Sequence, residues 1–174
     1  MNDDGVSRVV VETTTGQDRR TWTFAPRALG LDLPPGPWDG EPDKIQWVDE
    51  ATDLDCLMVR NPMAAWCGYV GVPRTHPLYG VGFEDVPVVD VHGGLTFSGG
   101  CAPGEPLDGI CHIAAPGRES EPWWLGFDCG HWNDLQPGLV ALLADAIPPF
   151  IYRNEVYVRA QCATLAAQLA RAAA

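Results

Sequence analysis

At 174 residues, with 46% hydrophobic and 20% charged residues, the chain has the composition of one globular domain rather than a disordered segment. Its formal charge of −12, carried with one lysine (Lys44) and ten scattered arginines, argues against DNA or RNA binding, which needs basic clusters to neutralise phosphates. The longest apolar run, LVALLADAIPPF, contains Asp145 and two prolines and predicts no membrane span, and the acidic start MNDDGVSRVVVE lacks a secretory pattern, so the expected location is cytoplasmic.

In chain order, SRVVVET (7–13) and TWTF (21–24) read as a hairpin turned at TTGQD. The Pro- and Gly-dense stretch 26–42 sustains neither helix nor strand and reads as an ordered loop carrying Trp38 onto the core. KIQWVDE (44–50), DCLMVRN (55–61) and AAWCGYVGV (64–72) read as strands. VPVVDVHGGLTFSG (86–99) starts as a strand, breaks at Gly93-Gly94 and resumes, a pattern that marks a bulge or the close approach of another group. Residues 100–122 form a long irregular excursion, and WWLGFDCG (123–130) reads as a further strand.

LVALLADA (139–146) predicts a short helix stopped by Pro148-Pro149. From Glu155 onward, Val158, Cys162, Leu165 and Leu169 recur at steps of four, three and four, one stripe of a helix capped by Asn154. The fold class is therefore α+β: a mainly antiparallel sheet with long loops and a C-terminal amphipathic helix packed on it. The chain reads as a single domain, 1–174, with a hairpin and Pro/Gly-rich loop over 1–43 and the sheet and helix over 44–174. Trp47, Trp66 and Trp123 are expected in the core. Cys56, Cys67, Cys101, Cys111, Cys129 and Cys162 read as reduced thiols, several of them buried, in a chain with no secretory signal.

No dinucleotide fingerprint, Walker loop, nucleophile elbow, H-E-x-x-H or C-x-x-C is present. What remains is DCGHWND, in which Asp128, His131 and Asp134 stand three apart just after a strand. Carboxylates around an imidazole hold a divalent metal or orient a general base. His92 occupies a similar strand-end place, so His92, Asp128, His131 and Asp134 are the candidate catalytic residues and the candidate metal ligands. Trp124 and Trp132 flank them as aromatic walls of a ligand pocket, and Thr96 and Arg153 complete the ligand-binding set. The plainer reading is that these Asp and Asn residues close Asx turns and that the histidines are hydrogen-bonded structural residues. A zinc site from Cys101, Cys111, His112, Cys129 and His131 lacks the usual paired spacing. Cys129 as a nucleophile paired with His92 competes with inert packing among aromatics.

The segments WCGYVGVPRTHPLYG, VHGGLTFSG, WWLGFDCGHWND and YRNEVYVRAQCATLAAQLA, in that order over residues 44–170, resemble an uncharacterised family of small bacteriophage and prophage proteins. The resemblance implies a phage-type accessory protein of the host cytoplasm and brings no activity or residue role with it. Two functions compete. The first is a metal-assisted hydrolase of a small phosphorylated or nucleotide substrate, with a divalent metal as cofactor and Arg153 facing the anion. The second is a non-catalytic binder of a small anionic ligand, such as a host nucleotide signal, or of a host protein, with tryptophans stacking a base and Arg118 or Arg153 on a phosphate. A third, ADP-ribosyl transfer, rests only on VHGG.

Overall fold

The computed structural model describes residues 6–14, 17–24, 32–101, 109–143 and 148–174. Its strands are β1 (Val6–Thr14), β2 (Gln17–Phe24), β3 (Lys44–Val48), β4 (Asp55–Arg60), β5 (Trp66–Val72), β6 (Phe97–Gly99) and β7 (Trp123–Asp128). They form one seven-stranded sheet in the order β1-β2-β3-β4-β5-β7-β6, with every pairing antiparallel. Among the described residues two α-helices follow, α1 (Pro137–Leu143) and α2 (Glu155–Ala172). The architecture is α+β, as expected. The N-terminal hairpin is not an appendage: Arg20, Thr21 and Trp22 of β2 pair with Gln46, Ile45 and Lys44 of β3. Its turn falls partly outside the described residues.

Strand alternation sorts the side chains onto two faces. Ile45 and Trp47 of β3, Cys56 and Met58 of β4, Val70 and Val72 of β5, and Leu125 and Phe127 of β7 face α2, which answers with Val158, Cys162, Leu165, Ala166 and Leu169. All four residues of the expected helical stripe are buried. Burying each large side chain of this kind contributes about 1.5–3 kcal/mol. Gly68 lets the helix approach, because a Cβ there would stand 2.8 Å from Cys162 Sγ and 2.5 Å from the Phe127 ring. Asn154 caps α2 as expected, its side chain accepting from Tyr157 N at 3.0 Å.

On the opposite face, Lys44 and Gln46 are buried beneath residues 109–122. Lys44 Nζ donates to Cys111 O, and Gln46 exchanges two bonds with the backbone of Ile113, at 2.7 and 2.9 Å. Trp38 is buried, donating to Pro34 O at 2.9 Å with its ring edge-on to Tyr152. The nearby Glu41 carboxylate accepts from Arg60, Trp66 Nε1, Tyr152 and the backbone N–H of Glu155. It thereby ties the 32–43 loop to the start of α2, where a negative charge faces the positive end of the helix dipole.

Three expectations are corrected. Residues 86–91 do not form a strand. Pro87 has no N–H to give a ladder, Val88 points fully into solvent, and the Gln168 side chain takes the place of a neighbouring strand. Its amide accepts from Asp90 N at 2.8 Å and donates to Asp90 O at 2.9 Å. The short helix begins earlier, at Pro137, which suits the first turn because it lacks an N–H; its expected end lies outside the described residues. The cysteines are not all reduced. Cys101 and Cys111 form a disulfide with Cα atoms 5.0 Å apart, and Cys56, Cys67, Cys129 and Cys162 are free and buried. Among the described residues, no helix is long and apolar enough to cross a membrane.

Candidate functional site

Three backbone segments converge beyond the end of β7. The strand stops at Asp128, whose Oδ1 accepts from Gly130 N at 2.8 Å, an Asx turn that starts the reversal. The turn closes on itself: Asp134 N donates to His131 O at 3.0 Å, and Asp134 Oδ2 accepts from His131 N at 3.1 Å. Asn133 supplies the positive φ of 76° that the turn needs, a conformation Asn tolerates. Ile151 then locks the turn from outside, donating to Asn133 O at 2.8 Å and accepting from Leu135 N at 2.9 Å. The second segment is the Val91–Gly94 turn, which carries His92. The third is the first turn of α2, with Arg153 just ahead of it and Tyr157 within it.

Asp134 is the hub. It is 2% exposed and spends both oxygens on partners. Oδ1 accepts from Arg153 Nε at 2.8 Å, and Oδ2 pairs with His92 Nε2 at 2.7 Å. Burial by itself pushes this carboxyl up, but hydrogen bonds from Arg153 and His92 outweigh it and hold the group below its ordinary value. A carboxylate at Nε2 makes that nitrogen the donor, and in the neutral imidazole Nδ1 is then the acceptor for the Tyr157 hydroxyl, 2.9 Å away. The Arg153 guanidinium lies 4.8 Å from the centre of the Tyr157 ring. Gln161 fixes the backbone of the turn, its Oε1 accepting from His92 N at 2.8 Å.

His131 faces His92, with ring centroids 5.6 Å apart. Its Nε2 lies 3.7 Å from Asp128 Oδ1 and is buried without a hydrogen bond, while the side chain as a whole stays one-third exposed. Gly93 makes this possible. A Cβ at that position would stand 2.0 Å from His131 Nε2, and its φ of +67° is itself left-handed. The glycine break in VHGG is therefore the close approach that the pattern predicted, and the approaching group is a histidine.

The structure thus brings together His92, Asp128, His131, Asp134 and Arg153. Trp132 stands at the rim, 84% exposed. Trp124 does not border the cluster. By alternation it lies on the face opposite Leu125 and Phe127, fully buried and edge-on to His112. Thr96 is exposed and continues the sheet, its N–H donating to Gly126 O at 2.9 Å. Arg118 is elsewhere, bonded to Asp53 and Asp55 at the wall of a cleft of about 240 Å³.

These donors do not fit a divalent metal. Both nitrogens of His92 and both oxygens of Asp134 are already bonded within the protein, and a guanidinium occupies the position a cation would take. Among the described residues, no group of three or more His, Cys, Asp or Glu is placed to hold a metal ion. The zinc alternative fails because Cys101 and Cys111 are bonded to each other. The Cys129 nucleophile fails because burial pushes that thiol well above its ordinary range.

Tyr157 and Gln161 are the members the sequence reading missed. Tyr157 and Gln161 stand four residues apart within α2, the spacing that places two side chains on one helical face, and that spacing was the available signal. Comparison of the chain with protein-family models, with curated proteins and with solved structures finds no match.

Proposed function

We propose that this chain is a metal-independent hydrolase of a small phosphorylated substrate, a phage-type accessory protein acting in the host cytoplasm. The observation that carries the reaction class is the pair of histidines with ring centroids 5.6 Å apart, His92 bonded to Asp134 at 2.7 Å and His131 Nε2 standing 3.7 Å from Asp128. Two imidazoles at that separation provide an acid and a base for one displacement at phosphorus. The phage origin rests on the sequence resemblance.

The hydrogen bonds around His92 support one division of roles. Tyr157 takes a proton from the attacking water while passing its own to His92 Nδ1, and the imidazolium so formed faces the Asp134 carboxylate. The new bond joins the water oxygen to phosphorus. As the bond to the leaving oxygen breaks, His131 supplies that oxygen with a proton from Nδ1, its Nε2 being buried beside Asp128 and Gly93. His92 and His131 then exchange protons with solvent to reset the site. Arg153 positions rather than reacts: it holds Asp134 and sets a positive charge over the Tyr157 ring.

The test is turnover of p-nitrophenyl phosphate and bis(p-nitrophenyl) phosphate, with and without chelator. Activity is expected to survive chelation, and His92→Ala and His131→Ala are each expected to lower kcat by about 10²–10⁴-fold while the protein stays folded. Complete loss on chelation, or an unchanged rate in His131→Ala, overturns the reading. A second reading, capture of a ligand or host protein without turnover, is favoured by the exposure of Trp132, Ile151 and Val156. It predicts ligand recovered unmodified after incubation.

A further inference from the structure

Beside the acid–base pair stands a side chain that hydrolysis alone does not require. Trp132 immediately follows His131 yet lies in solvent, 84% exposed, forgoing the burial that so large an apolar surface ordinarily gains. Nothing about its backbone is loose. The turn beneath it is closed by the two His131–Asp134 bonds and pinned on both sides of Ile151. The indole is therefore presented on a preorganised support. Phe150 makes one wall, with ring centroids 5.9 Å apart and planes inclined at 64°. The pair forms an open aromatic corner with most of the indole surface uncovered.

Resting on the reaction proposed above, we infer that this corner holds the base of a nucleotide, so that the substrate class is mononucleotides, with the phosphate placed at His131. A base is flat and stacks on an indole whatever its hydrogen-bonding edge, while the inclined Phe150 ring limits where it can slide. The base and phosphate of a mononucleotide lie one sugar apart, and Trp132 is the residue next to His131 in the chain. Charge decides between nucleotides. At −12 overall, the chain repels polyanions, so stacking rather than ion pairing has to supply the affinity, and a ligand with one phosphate is favoured over a triphosphate or a nucleic-acid strand.

Calorimetric titration of the full chain with AMP and with ribose 5-phosphate tests this. AMP is expected to bind about 5- to 150-fold more tightly, the factor that one stacked base contributes. Trp132→Ala is expected to bring AMP down to the ribose 5-phosphate level, and Trp132→Phe to keep most of the difference. Undetectable AMP binding, equal affinity for the two probes, or full discrimination in Trp132→Ala overturns the inference. The last result reassigns the exposed Trp132, Ile151 and Val156 to a protein partner. The two proposals separate cleanly. Phosphoester turnover with no preference for AMP sinks the base corner and leaves the hydrolase standing. Trp132-dependent AMP binding with no turnover of any phosphoester sinks the hydrolase and leaves the base corner.

Discussion

Replacing Gly93 by alanine isolates the contact on which the histidine pair depends. The new Cβ would lie 2.0 Å from His131 Nε2 and 2.3 Å from Cδ2. Non-bonded heavy atoms settle about 3.5 Å apart, so the imidazole has to retreat by about 1.5 Å or the 91–94 turn has to open. The φ of +67° adds about 1–2 kcal/mol for any residue with a Cβ. Gly94→Ala is the matched control. Its φ is +81°, but nothing lies within 4 Å of the added carbon. The control is expected to lose only the conformational term, a fall in Tm of about 2–8 °C for a chain of this size. Gly93→Ala is expected to melt lower still and, because displacing a reacting group by about 1 Å costs about 10²-fold, to lose about two decades of kcat on p-nitrophenyl phosphate. Thermal melts and steady-state rates of the two variants side by side give the answer. If they match in both, His131 does not depend on Gly93, and the geometry assigned to the pair is wrong.

Asp134→Asn keeps the shape of the hub and removes its charge. Since the carboxyl sits below its ordinary value of 3.8 when folded, its contribution is present above that pH and lost as pH falls through the lower folded value. The wild type should therefore lose Tm on acidification below about pH 4, whereas the variant, less stable by about 2 kcal/mol at neutral pH, should show a flatter profile there; parallel profiles contradict the assignment. Gln168→Ala removes the side chain that stands in for a neighbouring strand. Amide exchange at Asp90 should speed up while exchange in β4 and β5 stays slow, and unchanged protection at Asp90 would count against that role. For the cysteines, thiol titration of the non-reduced, denatured protein should find four free thiols, and six after treatment with a dithiol reductant. Six at the outset contradicts the Cys101–Cys111 bond.

Much of the fold is legible because its signals are local. The Val158, Cys162, Leu165, Leu169 stripe and the Asn154 cap depend only on helical period and on a side chain reaching its own backbone, and both appear in α2 as read. The β-branched and aromatic runs at 44–48, 55–60, 66–72 and 123–128 likewise became strands. VPVVDV carries the same composition and did not: Asp90 bonds the amide of Gln168, 78 residues away, and Val86 and Val91 make turn bonds to Phe83 and Gly94, not to another strand. Periodicity describes which groups want burial, and it is silent on what will satisfy the peptide bonds.

For the site, the sequence by itself determined the inventory: two histidines, two aspartates and an arginine near strand ends and a helix start, and a glycine pair where something must come close. Tertiary structure decided how they are used. Trp123 and Trp124 are indistinguishable as adjacent letters, yet pleat alternation sends Trp124 to the face away from α2, and Trp132 is left outside because its turn lies beyond the last strand pairing. A metal ligand set and an acid–base pair use the same residue types, and only the distances separate them. Asp134 at hydrogen-bonding range of both His92 and Arg153 leaves no room for a cation, and the ring of His131 over Gly93 brings the two imidazoles to 5.6 Å, their planes tilted by 58°. Those distances join residues 19 to 42 positions apart, and contacts of that span are set by packing of the whole chain.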